Sequence, residues 1–141
     1  MPFDFAKINW LAVIVAALVA FFVGAIWYTA LFGKLWLKLQ GFSEEKVKEM
    51  QAKTPPPRFF GGMILSYLVL AVALAILLSC FAEPSVTKGI LLGLVFWLGS
   101  SAIVATGHIA SDKSNGAYLI DVGCQLVYLV LVGALLGACR A

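Results

Sequence analysis

Charge is scarce in this sequence. Asp, Glu, Lys and Arg make up 12% of its 141 residues, against roughly 25% in an ordinary soluble domain. Histidine occurs once and cysteine three times, with no CxxC pair. That excludes a zinc set of the usual spacing, and an odd cysteine count argues against a disulfide framework. Cys124 falls inside an apolar run, and Cys80 and Cys139 near the ends of two others, where cysteine acts as a small hydrophobe. There is no Ser–His–acid set in a recognisable context and no glycine loop able to cradle phosphate. A prenylation box and a myristoylation start are also missing. No cofactor and no metal are expected. The net charge of +3 comes without a basic stripe interleaved with exposed aromatics, so no nucleic-acid partner is expected.

What the sequence has in excess is apolar residues, at 62%. They gather in four runs: Ile8 to Leu31, Phe59 to Phe81, Val86 to Ile109 and Ala117 to Ala138. Each is long enough to cross a hydrocarbon core of about 30 Å at about 1.5 Å per residue. Proline is absent from all four, and only Lys88 and Asp121 bring charge into them. Lipid allows only helices or closed barrels, and barrel alternation is missing. The expected fold is therefore all-α, a single integral membrane four-helix bundle over residues 1–141. The first run exceeds the h-region of a secretory signal and is expected to stay uncleaved.

Between the first two runs, residues 32–58 read as a helical linker rather than disorder. Trp27 and Trp36 suit the headgroup zone as interface anchors. Lys34 and Lys38 share one helical face and Leu31, Leu35 and Leu39 another, so this stretch should lie along the membrane surface with its lysines in water. Gly33 offers a bend and Gly41 an end. Ser43 then caps a short charged helix with Phe42 and Val47 as its staple; Glu44–Lys48 and Glu49–Lys53 are favourably ordered i, i+4 pairs. Thr54 to Pro57 stops it. The later connections are Glu83 to Ser85 and Ser111 to Gly116, with Asn115-Gly116 the turn signal. Such short loops make sequential helices antiparallel neighbours.

Of the ten Lys and Arg residues, seven fall in the two odd loops: Lys34, Lys38, Lys46, Lys48, Lys53, Arg58 and Lys113. Lys7, Lys88 and Arg140 fall on the other side. The odd loops are expected in the cytoplasm and both termini outside it.

The block "GAIWYTALFGKLWLKLQGF" resembles the opening signature of a small bacterial membrane-protein family, domain of unknown function 1761. The matching positions are Gly24, Trp27, Tyr28, Leu31, Phe32, Gly33, Lys34 and Trp36. The last run, with Gly133 and Ala134 late in it, resembles the family's closing span. One departure is Thr29-Ala30 where many relatives have Ser-Pro, which should leave the helix less broken. The resemblance implies a four-span protein of the bacterial inner membrane and no known activity.

Polar groups inside spans are costly, so their positions matter. Asp121, Gln125 and Tyr128 fall at i, i+4 and i+7. Gly93, Trp97, Ser100, Ser101, Val104 and His108 share a face of the third span. His108, Asp121 and Tyr28 belong to the same leaflet. In one reading they form a polar site, with Asp121 ionised or sharing a proton with His108 and with Tyr28 and Gln125 as partners. In the other, Asp121 sits near the interface and staples helices. Either way it should face inward, within reach of His108, Tyr28 or Gln125. Ala12, Ala16, Ala20 and Gly24 make a small-residue stripe. Gly89 with Gly93, and Gly133 with Gly137, are GxxxG pairs that allow close approach inside the bundle or between copies. Three functions remain open: a non-enzymatic membrane protein, either an accessory or scaffold subunit or a binder of lipid or an apolar ligand; a minimal homo-oligomeric transporter; and a membrane enzyme with a polar site near the cytoplasmic face. The first is favoured. Membrane lipid is the expected partner, with a homo-oligomer or a larger membrane complex as further options.

Overall fold

A computed structural model describes residues 5–139; Arg140, one of the charges used for orientation, lies outside them. Six α-helices and no strand are found among the described residues. They are α1 (Trp10–Ile26), α2 (Gly33–Gln40), α3 (Glu44–Lys53), α4 (Pro56–Ser79), α5 (Val86–Ala110) and α6 (Asn115–Ala138). A π-helical turn, Trp27–Leu31, continues α1. Four of the helical stretches are long and apolar enough to cross a membrane: Trp10–Leu31, α4, α5 and α6. The fold is the all-α, four-span bundle expected from the apolar runs.

Local chemistry explains most helix ends. Asn9, Ser43, Ser85 and Ser114 are N-caps, each accepting a backbone N–H of the first turn at 3.2 Å. Pro56 and Pro57 do more than stop α3. They occupy the first turn of α4, where a missing N–H costs nothing. Glu49 pairs with Lys53 at 3.4 Å, but Glu44 and Lys48 form no ion pair among the described residues. The turn before α6 also differs from expectation. It is made at Asp112, with φ of 52°, and Asn115-Gly116 already belongs to the helix. A short polar side chain tolerates the left-handed region.

α6 is the hub. It packs along α5 most extensively and along α1, whereas α4 packs mainly on α1. The α5–α6 pairs run in opposite senses: Ser85 meets Gly137, Gly89 meets Gly133, and Gly93 meets Leu129. The two helices are thus antiparallel, and both GxxxG pairs serve packing within the chain. A Cβ on Gly89 would overlap the Gly133 carbonyl, and one on Gly133 the Gly89 carbonyl. Backbone touches backbone here, the contact that small residues allow in lipid. One expected neighbour relation fails. α4 and α5, though joined by a short loop, touch only sparsely, because Ala12, Ala16, Ala20 and Gly24 draw α4 onto α1. Those four residues are buried in the seam, and Tyr67 of α4 points its hydroxyl at Gly24. The core where α1, α4 and α6 converge holds Val13, Ala16, Leu74, Leu78, Leu129, Val132 and Leu136.

Adding one methyl at the α5–α6 crossing should therefore be costly. Gly89→Ala or Gly133→Ala is expected to lower stability by about 1–3 kcal/mol through overpacking. Gly99→Ala, where a Cβ meets nothing within 4 Å, is expected to cost nothing. Thermal unfolding in detergent reads the difference; equal effects at the three positions would contradict this packing.

Candidate functional site

The site is assembled at the end of α1. Within the π turn the Phe32 amide bonds the Trp27 carbonyl at 2.8 Å, a span of five residues rather than four. The Thr29 hydroxyl donates to the Ala25 carbonyl at 2.5 Å. The helix is broken here without a proline, at the bend expected from Gly33. Phe32 leaves helical geometry and Gly33 restarts it. A Cβ on Gly33 would overlap the Tyr28 carbonyl, so the restart needs glycine. π turns tend to occur at functional positions. This one aims Trp27 and Tyr28 at the start of α6. The Trp27 indole donates to the Ile120 carbonyl at 2.9 Å, and the Tyr28 hydroxyl donates to Asp121 Oδ1 at 2.5 Å.

α2 then returns along the bundle's end, where it packs against α6. Its Trp36 indole donates to the same Asp121 Oδ1 at 2.9 Å. The Trp36 ring meets Tyr28 edge-on, with centroids 5.9 Å apart, and Phe42 at 5.8 Å. From α5, His108 Nε2 lies 3.1 Å from Asp121 Oδ2, and the two side chains are 12% and 17% exposed. Three separate segments thus converge on one carboxylate of α6.

Each polar atom of the pair has a partner. His108 Nδ1 lies 3.0 Å from the Val104 carbonyl, which can only accept, so Nδ1 carries a hydrogen. Asp121 Oδ1 accepts twice. His108 Nε2 faces the other oxygen, Oδ2. His108 also borders an open recess of about 310 Å³ with Ala105, Ile109, Asp112, Lys113, Asn115 and Tyr118. Its ring lies edge-on to Tyr118 at 5.4 Å.

The structure divides the candidate residues into two groups. Asp121, His108 and Tyr28 come together. Gln125 and Tyr128 do not join them. The Ser100 hydroxyl donates to Gln125 Oε1 at 3.3 Å, and Tyr128 meets Tyr67 edge-on at 5.3 Å. Both line a separate recess of about 200 Å³ with Leu70, Phe96, Ser100, Ile103, Val104 and Leu129. Four residues along a helix turn the side chain about 40°, and α6 has neighbours on two sides. That rotation carries Gln125 from the α1 side to the sparse α4–α5 seam. Trp27 and Trp36, expected as headgroup anchors, are bonded within the bundle. Both direct their indole N–H into α6, because a carbonyl or carboxylate at hand satisfies the donor better than a shared headgroup. Lys34 and Lys38 stand exposed.

Trp36 is the donor that sequence reasoning missed. Trp97, whose indole donates to the Val122 carbonyl at 2.8 Å, and Tyr118, whose hydroxyl donates to the Ser101 carbonyl at 3.0 Å, were also missed as bonding groups. No spacing rule links them to their partners. Among the described residues no group of three His, Cys, Asp or Glu side chains can hold a metal ion.

The fold and site together define a four-span helical membrane protein with a shared carboxylate at one end. The chain belongs to the family described as protein of unknown function (DUF1761), whose profile matches residues 11–137. No curated protein and no solved structure matches it.

The two oxygens of Asp121 give unequal variants. Asp121→Asn can keep its oxygen on Tyr28 and Trp36 and turn its amide N–H toward His108 Nε2, so stability should be nearly unchanged. Asp121→Ala strands the Tyr28 and Trp36 donors, and an unpaired, half-buried donor costs about 1–3 kcal/mol. Thermal unfolding of the two variants is the check. Equal losses would mean that charge, not hydrogen bonding, holds the site together.

Proposed function

We propose that the protein is a non-enzymatic membrane subunit of the accessory or scaffold kind. It binds lipid or an apolar ligand and presents α2 as a fixed platform, with α3 beyond it, on the cytoplasmic surface of a cell membrane. One observation carries this reading: the Asp121 carboxylate is occupied by donors from the π turn, α2 and α5. A carboxylate so engaged is suited to holding elements in place. The apolar recess at the α4–α5 seam, floored by Gln125 and Tyr128, supports the ligand-binding part, since its partial opening faces the space that acyl chains fill.

A second reading, a homo-oligomeric transporter, draws support from the recess at His108 and from the 3.1 Å approach of His108 to the Asp121 carboxylate. Asp121→Asn separates the two, because it removes the ionisable carboxyl group while keeping an oxygen for Tyr28 and Trp36. Protein extracted with its membrane lipids and weighed intact should carry the same bound lipid or partner mass as wild type when Asn replaces Asp121, and lose it when Ala does. Loss in the Asn variant alone would favour the transporter.

Orientation belongs to the same reading. Seven Lys and Arg residues in the loops that include α2, α3 and Lys113 favour the cytoplasm for that side. A reporter active only in the cytoplasm and fused after Ala141 should be silent; activity would reverse the arrangement.

A further inference from the structure

α2 and α3 enclose a groove of about 570 Å³, within the range of small-molecule sites of roughly 300–1,000 Å³. Its apolar lining is Leu37 from α2, Phe42 from the turn and Val47 from α3. Its polar lining is Lys34 and Lys38 on one wall and Glu44, Lys48 and Gln51 on the other. Three ammonium groups face one carboxylate. None of the three lysines has an ion-pair partner among the described residues, whereas Lys53, outside the groove, is paired with Glu49.

The place of the groove matters as much as its lining. α2 follows a span that ends at Leu31, and α3 precedes one that begins at Pro56. Both walls are therefore tied by short connections to the same end of the bundle, and the Trp36–Asp121 bond holds α2 there. An apolar span stops where hydrocarbon gives way to headgroups, so the membrane reading puts this end at headgroup depth. A ligand at this depth that matches an excess of positive charge over an apolar floor has an anion at one end and hydrocarbon at the other. An unpaired ammonium is a point-charge partner for phosphate. A free phosphate would leave Leu37, Phe42 and Val47 uncovered, but the first carbons of an acyl chain would cover them.

We propose that the α2–α3 groove binds an anionic phospholipid, with its phosphate among Lys34, Lys38 and Lys48 and its upper acyl chain on Leu37, Phe42 and Val47. The proposal deepens the lipid-binding part of the function given above and rests on it. Basic residues beside a membrane span attract anionic lipid in general, so the experiment has to separate a site from a field.

Purified protein in detergent is titrated with phosphatidylglycerol, phosphatidylcholine or inorganic phosphate, and the bound mass is read from intact complexes. Wild type is expected to retain phosphatidylglycerol over phosphatidylcholine, with no displacement by equimolar phosphate. Lys38→Gln with Lys48→Gln, one change on each wall, should weaken phosphatidylglycerol about tenfold or more. Lys46→Gln with Lys53→Gln makes the same change in charge outside the groove and should leave retention as in wild type. All four positions are exposed, so both double variants should unfold at the wild-type temperature. Equal weakening by the two doubles would overturn the proposal in favour of general attraction. Equal retention of phosphatidylcholine, or displacement by phosphate, would overturn it too, while leaving lipid binding elsewhere in place. Retention of no lipid of any class by wild type would remove the lipid-binding reading itself.

Discussion

A carboxylate near the end of a lipid-spanning helix must find donors or destabilise the fold, and Asp121 finds them in three directions. Each donor depends on an unusual local feature. Tyr28 reaches Oδ1 from a turn in which five residues do the work of four. Trp36 reaches the same oxygen because the chain restarts its helix at a glycine and comes back along the bundle's end. His108 reaches Oδ2 with its other ring nitrogen spent on its own helix. Without the carboxylate, the linker would keep its covalent ends and its packing on α6 and the π turn, such as Leu39 against Gly116, but no hydrogen bond from Trp36. With it, α2, one wall of the groove, has a set position.

Helix α6 can serve as anchor because it is itself firmly held. Its glycines meet α5 backbone to backbone, and its carbonyls at Ile120 and Val122 take indole N–H groups from Trp27 and Trp97. Those carbonyls have a second lone pair to offer beyond the helical bond. α4 stands apart from this arrangement, docked on the small-residue stripe of α1 and splayed from α5. The result is a bundle tight along α5, α6 and α1 and open at the α4–α5 seam, where Ser100 and Gln125 satisfy each other.

The four spans, the Ser43 cap and the small-residue stripes were legible because each is written in a continuous stretch of chain. Length and hydropathy decide a span, and a cap needs only the next three residues. The reach of Tyr28 and His108 toward Asp121 could be framed as an expectation from leaflet position alone. The role of Trp36 could not. It depends on how far the chain turns between Phe32 and Gly33, a backbone event with no side-chain pattern beyond one glycine. Periodicity also grouped Gln125 and Tyr128 with Asp121, because spacing reports which face residues share and not which neighbour covers each part of that face. Aromatic and lysine residues near a span end look alike as headgroup anchors; the lysines kept to the surface, and the indoles turned inward to a carboxylate and a carbonyl.

The central claim is that Asp121 holds α2 through the Trp36 indole. Proton exchange at the indole nitrogens tests it most directly, because each tryptophan reports on a different bond. In detergent-solubilised protein transferred to heavy water, Trp36 and Trp97 Nε1–H should both exchange slowly. On Asp121→Ala, Trp36 should become fast while Trp97, bonded to the Val122 carbonyl, stays slow. A Trp36 signal that exchanges equally slowly with and without the carboxylate would contradict the account.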